Sequence, residues 1–252
     1  MGITAADVVV PPPPLPSRGD ALFVDFDGTL VEIAATPDRV EVADGLPELL
    51  QRVAARLDGA LAVISGRPLA DLGRLLAGYS GAAAGIHGLE RRSADGVVER
   101  ADADPALDLV WPLVRQFAAI TPGVLIEDKG LAIAIHYRGR PELAEACRRL
   151  AEQAITLSQD GLTLLHGKMV VELQPRTTDK GRAIRAFLAE PMFRGRRPVF
   201  VGDDRTDEDG FAAVNELGGV SIRVGAADGS AARYRLDDVA AVIGWLRRFL
   251  ES

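Results

Sequence analysis

The fold turns on the stretch Leu22-Phe23-Val24-Asp25-Phe26-Asp27-Gly28-Thr29-Leu30. An apolar run of strand type ends in two carboxylates one residue apart, followed by a glycine and a threonine. Side chains alternate along a strand, so Asp25 and Asp27 leave on the same side while Phe26 turns to the core. Gly28 lets the backbone turn sharply, because it accepts dihedrals that other residues resist. Two like charges held this close repel and call for a proton, a cation or both. A solvated acidic turn after a strand is the plain alternative for a bare D-x-D, and the longer D-F-D-G-T-L string argues against it.

The rest of the composition narrows the class. The chain has 252 residues, 48% of them hydrophobic, enough for one large core or two modest ones. A formal net charge of −7 speaks against nucleic acid or an anionic membrane surface as the main partner. No apolar run reaches the roughly 18 residues of a spanning helix, and Met1 to Val10 lacks the basic flank and apolar centre of a secretory signal. Cys147 is the sole cysteine, which rules out an intrachain disulfide and suits a reducing compartment. Its helical surroundings mark it as a packing residue. A soluble, cytoplasmic protein is expected.

Along the chain, the prolines at 11–14 and 16 make residues 1–19 an exposed polyproline-type tail. After the strand at 21–26, Asp44 stands where an N-cap belongs, ahead of Leu46, Leu49, Leu50, Val53 and Leu57 at helical spacing. Residues 60–64 read as a buried strand ending at Ser65-Gly66-Arg67-Pro68. Strand, helix, strand in this rhythm implies parallel strands, and such sheets bind ligands at their carboxyl ends. Asp25, Asp27 and Ser65 therefore share one rim. Ser65 or a neighbour can equally start the helix of Leu69, Leu72, Leu75 and Leu76, and a helix N-terminus with free amides is also a phosphate site. His87, between glycines in Gly85-Ile86-His87-Gly88, is by itself a turn histidine.

The pattern then changes. Residues 105–174 predict helix (106–119), strand (124–127), strand (131–137), helix (141–157), strand (162–166) and strand (169–173), with hairpin-length connections and an antiparallel sheet. This block is expected to be an inserted α+β domain between core segments 20–104 and 175–252. Beyond it, Thr177-Thr178-Asp179-Lys180-Gly181 leads into an amphipathic helix, and a buried strand at 198–202 runs into Asp203-Asp204-Arg205-Thr206-Asp207-Glu208-Asp209. Five acids in seven positions repel one another. They are either a solvated loop with helix N-cap carboxylates, the simplest role for Glu208 and Asp209, or a site for a divalent cation.

D-F-D-G-T-L, S-G-R, D-K-G and G-D-D-R-T-D-E, in this order at strand ends, resemble the haloacid dehalogenase-type phosphohydrolases. G-I-H-G, the longer last motif and an insert between the second and third motifs resemble the trehalose-6-phosphate phosphatase family within them, over nearly the whole chain from Asp20 to Ser252. The family's cap motifs E-x-K, H-Y-R and G-K-x-x-x-E match Glu127-Asp128-Lys129, His136-Tyr137-Arg138 and Gly167-Lys168 through Glu172. The chain departs from the family's E-x-R-P at Gln174, with Arg176 a candidate to replace the missing arginine. One internal feature agrees with the resemblance. The only lysines, Lys129, Lys168 and Lys180, all fall inside these motifs, as expected where a compact point charge is needed and arginine cannot substitute.

The resemblance implies an α/β fold, a Rossmann-like parallel-sheet core with the 105–174 αββαββ block as cap, and a Mg²⁺-dependent phosphatase using an aspartyl-phosphate. Asp25 is then the nucleophile and Asp27 the general acid and base, readily protonated because Asp25 crowds it. Mg²⁺ is held by Asp25, the Asp27 carbonyl and Asp203, supported by Asp204 and Asp207. Ser65, Gly66 and Lys180 bind phosphate; Arg67, His87, Glu127, Lys129, Arg138, Lys168 and Glu172 bind sugar. The implied partner is a small-molecule sugar phosphate, for a monomer paired functionally with a trehalose-phosphate synthase. The alternatives are a sucrose-phosphate or glycosyl-phosphoglycerate phosphatase, a phosphomutase, and a non-enzymatic sugar-phosphate-binding module.

Overall fold

In the computed structural model, which describes residues 12–34, 36–226 and 229–252, the deciding stretch forms β1 (Asp20–Asp25), with every residue buried. A strand hydrophobic on both faces belongs in the middle of a sheet covered on both sides. The chain continues through α1 (Leu46–Arg56), β2 (Leu61–Ile64), α2 (Leu69–Leu75), β3 (Ala82–Gly85), β4 (Glu90–Arg92) and β5 (Val98–Arg100). It then makes α3 (Pro105–Ile120), β6 (Leu125–Asp128), β7 (Ile133–His136), α4 (Ala144–Leu157), β8 (Leu162–Gly167) and β9 (Val170–Pro175). Last come α5 (Lys180–Ala189), β10 (Arg197–Gly202), α6 (Glu208–Glu216), β11 (Val220–Val224), β12 (Tyr234–Leu236) and α7 (Val239–Glu251).

Eight strands form one sheet in the order β12-β11-β10-β1-β2-β3-β4-β5, parallel from β12 to β3 and antiparallel over β4 and β5. The other four form a separate antiparallel sheet, β6-β7-β9-β8, with α3 and α4 packed on it. This is the expected α/β class with an αββαββ block between two halves of a parallel sheet. Each sheet has its own apolar core. Phe23, Phe187, Phe193 and Trp245 belong to the larger, whereas Val110, Val114, Cys147 and Ile135 belong to the smaller. Cys147 is a packing residue, as its pattern indicated.

Register places the site. Val24 pairs with Val201 and Asp25 with Ile64, so Asp25, Ser65 and Asp203 emerge side by side at the carboxyl ends of neighbouring strands. Gly28, with φ of 84°, makes the turn that the sequence indicated, and a side chain there would also overlap the Asp203 carboxylate.

Several local expectations are corrected. Asp44 is not the N-cap of α1; Gly45, in the left-handed region, occupies that position, and Pro47, the second helical residue, suits the first turn by needing no amide partner. Ser65 does not cap α2, which begins after Pro68; its Oγ instead accepts from Arg67 N at 3.1 Å. The described end of the proline-rich segment is not a free tail. Pro16 is buried, and the Trp245 indole of α7 donates to the Pro14 carbonyl at 3.1 Å. The readings for Met1 to Pro11 lie outside the described residues. Strands β4 and β5 were not foreseen. Among the described residues no helix is long and apolar enough to cross a membrane.

The Phe23 ring lies 5.6 Å from Phe193 and 6.1 Å from Phe187, with no exposure. Phe23→Ala leaves a cavity under the strand that carries Asp25 and is expected to cost about 3–5 kcal/mol in urea unfolding. A loss below about 1 kcal/mol would show that the surrounding rings collapse into the space.

Candidate active site

A single cleft lies between the carboxyl ends of β1, β2 and β10 and the face of the smaller sheet. Asp25, Asp27, Ser65, Gly66, Arg67, His87, Lys180, Asp203 and Asp204 line it from one side, and Glu127, Lys129, Arg138, Lys168 and Glu172 from the other. Of the sequence-predicted residues only Asp207 does not line it. That residue lies directly beneath, fully buried.

At the floor, Lys180, the first residue of α5, donates to Asp25 Oδ1 at 2.6 Å and to Asp207 Oδ1 at 2.7 Å. Burial pushes the Asp25 carboxyl well above its usual range, and Asp207 and Asp203 push the same way against the pull of Lys180. Burial, then Asp207, lifts Asp203 to about 6, opposed by Lys168. Burial works against the Lys180 ammonium, yet Asp207 and Asp25 carry it well above the lysine range. Asp25, Asp203 and Asp207 each offer an oxygen within 4.8 Å of the others. This donor set fits a hard divalent cation, since buried carboxylates in excess of their cations are the ligands such ions take. Asp207 is the least free of the three, because its Oδ2 also accepts from the Asp203 and Asp204 amides at 2.9 and 3.0 Å. Asp204 turns its Oδ1 to Thr206 N and Oγ1 as a helix cap. Glu208 and Asp209 occupy the first turn of α6, as their simplest reading had it.

Asp27 departs from expectation. Crowding by carboxylates falls on Asp25, whereas Asp27 is gripped by Arg67, through Nε to Oδ2 at 2.7 Å and Nη2 to Oδ1 at 2.8 Å. Arg67 thus engages the acid rather than standing open to a sugar. Gly66 has no room for a side chain because the His87 ring packs against it. His87 holds a left-handed conformation, φ 55°, fixed by its amide on Ser65 O and by Thr178 Oγ1 on its carbonyl, both at 3.0 Å. Strain kept in place by that many bonds is a mark of a functional position.

On the opposite wall, Lys129 Nζ donates to Glu172 Oε2 at 2.5 Å, and the His87 Nε2 lies 3.6 Å from Glu172 Oε1. Glu127 pairs with His136 Nε2 at 2.8 Å. Lys168 reaches across to Asp203, and Arg138 donates to the carbonyls of Ala34 and Lys168. Glu172 Oε1 and His87 Nδ1 are buried without a protein partner. Gln174, where the family motif departs, is fully buried and donates to Thr178 O at 3.0 Å, so it braces the His87 support. Arg176 points instead toward Asp160 O. Sequence reasoning passed over three contributors. His136 was visible in H-Y-R, Thr178 in the run before D-K-G, and Arg223 had no signal at all.

An aspartate at the end of the central strand, a buried lysine bridging two acids and a further acid on the adjacent strand match the arrangement expected of a phosphohydrolase of the haloacid dehalogenase type. The fold agrees. It resembles a phosphatase of the haloalkanoate superfamily from Bacteroides thetaiotaomicron (17% identity, TM-score 0.63, 91% and 94% of the two chains). It also resembles the C-terminal domain of a C. albicans trehalose-6-phosphate phosphatase (22%, TM-score 0.78, 95% and 99%). The chain belongs to the trehalose-phosphatase family, whose model matches residues 23–240. The trehalose-6-phosphate phosphatase of Escherichia coli (strain K12) is 46% identical over 229 residues, 90% of this chain and 85% of that one.

Burial alone raises the Glu172 carboxyl, but Lys129 and His87 outweigh it and hold the group down to about 2, from 4.5. The stability this contributes is complete above about pH 4.5 and is lost as pH falls toward 2. Glu172→Gln should therefore flatten the fall of urea midpoint over that interval. An unchanged slope would show that the carboxylate is not held ionised.

Proposed function

We propose that the chain is a Mg²⁺-dependent phosphatase that hydrolyses trehalose 6-phosphate to trehalose and phosphate, with residues 105–174 acting as a cap on the core of 20–104 and 175–252. One observation carries this reading. The acid–lysine floor and the ionic wall of Lys129, Glu172, Glu127 and His136 face each other across the same cleft. One end suits a phosphoryl group, the other a ligand rich in hydroxyls.

Asp25 attacks phosphorus in line and becomes an aspartyl-phosphate. Lys180 holds Asp25 in place and, with three ammonium hydrogens and two used on acids, has one left for a phosphoryl oxygen. Ser65 already accepts from Arg67 N, so its own hydroxyl hydrogen is free for another; the Gly66 amide adds a second donor. Asp27 protonates the leaving sugar oxygen and then takes a proton from the attacking water. To carry that proton it gives up one of its two Arg67 bonds, and the fork fixes where it stands meanwhile. Asp25, Asp203 and the Asp27 carbonyl would hold Mg²⁺, which would supply positive charge toward the phosphoryl oxygens and relieve the carboxylate repulsion.

At the far end, Glu172 Oε1 is an acceptor in want of a donor, and Lys129, Glu127, His136 and Arg138 line the same cleft with further polar groups. Lys168, about half exposed, pairs with Asp203 from the cap side and stands between the two ends. Sucrose-phosphate or glycosyl-phosphoglycerate hydrolysis is the competing substrate reading. We place the activity in the cytoplasm of the cell, on the strength of a single, buried cysteine that forms no disulfide.

Trehalose 6-phosphate should be hydrolysed roughly 10³-fold or more efficiently than glucose 6-phosphate, which has the same leaving group but leaves the wall's hydrogen bonds unmade. Lys129→Ala should lower kcat/KM on the disaccharide about 10–100-fold and barely alter turnover of p-nitrophenyl phosphate. Similar efficiency on the two sugar phosphates would refute the substrate assignment, and equal losses in the variant on both esters would give Lys129 a role in folding or closure instead.

A further inference from the structure

The loop that follows β10 is gripped from two sides. On one side, the Asp207 carboxylate accepts both the Asp203 and Asp204 amides, a position open to it because a side chain on Gly202 would overlap it. On the other side stands Arg223, in β11, paired in register with Gly202. Its Nη2 donates to Asp203 O at 2.7 Å and its Nη1 to Asp204 O at 3.3 Å, so one guanidinium takes the carbonyls of both residues. Nη1 also donates to Glu208 Oε1 at 2.8 Å, while Glu208 Oε2 accepts from Ala231 N, which holds the guanidinium in turn. The Arg223 side chain is 12% exposed.

We propose that Arg223 is a positioning residue for the divalent-cation site: by pinning the Asp203 and Asp204 carbonyls it fixes the direction in which Asp203 presents its carboxylate.

The physical reason is orientation. Asp203 belongs to no regular element, so its side-chain direction depends on the two peptide planes that flank it. Asp207 ties the N–H of each plane to one carboxylate oxygen, and the plane that carries the Asp203 carbonyl can still pivot about that single bond; the Asp204 carbonyl belongs to the next plane, where it also accepts from Asp207 N at 3.4 Å. Without Arg223 the Asp203 carbonyl would lose its side-chain donor, and its plane would pivot to find another. The planar fork of an arginine reaches two carbonyls at fixed spacing, which a lysine ammonium cannot do with the same geometry. The guanidinium also places a positive charge behind a run of acids without competing for the cleft, because it touches main-chain oxygens and not the metal-facing carboxylates. Outer partners of this kind typically account for about 10–100-fold in metal affinity.

This rests on the metal reading above and not on the identity of the sugar, so its test leaves the sugar out. Mg²⁺ alone is titrated calorimetrically into the full chain carrying Arg223→Met or Arg223→Lys, with circular dichroism confirming the fold. Arg223→Met should weaken Mg²⁺ binding about 10–100-fold. Arg223→Lys, which keeps the charge but not the fork, should fall between the two. Raising Mg²⁺ should restore phosphate release from p-nitrophenyl phosphate in both variants while the circular dichroism spectrum stays constant over the same Mg²⁺ range, whereas rescue of a folding defect would change it. Full Mg²⁺ affinity in both variants would overturn the proposal. So would a loss in Arg223→Met that accompanies unfolding while folded Arg223→Lys binds like the unsubstituted chain.

Discussion

One ammonium between two buried acids is the constraint on which the rest of the molecule depends. Lys180 spans Asp25 and Asp207 with almost no exposure to water. Removing such charges from solvent is unfavourable unless each finds a partner, and removing one partner leaves the others uncompensated. Three carboxylates against one fully buried lysine and the half-exposed Lys168 still leave negative charge unmet, and burial and mutual repulsion together lift Asp25 and Asp203. A site in this condition favours a divalent cation and a ligand that brings its own charge into register with it. The topology creates it. Parallel strands end on the same rim, and the central pair β1 and β10 deliver one acid each, while α5 delivers the lysine at its first residue.

The second sheet supplies what the floor lacks. A phosphate pocket reads only the group that all phosphate esters share, so discrimination has to come from elsewhere in the cleft. The Lys129–Glu172 pair is almost wholly shielded from water, and Glu172 keeps one oxygen unengaged. His87 joins the halves: its ring packs on Gly66, next to Ser65, and approaches Glu172 of the opposite wall. The strain in its backbone is held by residues of both segments, Ser65 on one side and Thr178, braced by Gln174, on the other.

Much of this was legible from residues alone because the relevant patterns are strong. The apolar runs of β1, β2 and β10 end in acids, serine or glycine, and the alternation of helix and paired strands in 105–174 is the αββαββ order found. The misses have physical causes. Strands β4 and β5 carry Glu90-Arg91-Arg92 and Val98-Glu99-Arg100, half-buried or exposed, so no alternation betrays them. Asp44 had the right residue type for a cap, but Gly45 alone could supply the left-handed turn entering α1. Arg67 was assigned to sugar, since nothing in S-G-R tells that its fork closes on Asp27 forty residues earlier. Arg223 looks like any strand arginine, and its value comes from carbonyls brought beside it by strand order. Long-range partnership is what a linear pattern does not encode.

In the proposed reaction Asp25, held by Lys180, is the nucleophile that attacks phosphorus. The stereochemical course at phosphorus tests this most directly, using an isotopically chiral thiophosphate ester hydrolysed in oxygen-labelled water. Two successive in-line displacements, through Asp25 and then water, predict net retention of configuration. Net inversion would mean that water attacks the ester directly, and would contradict the account.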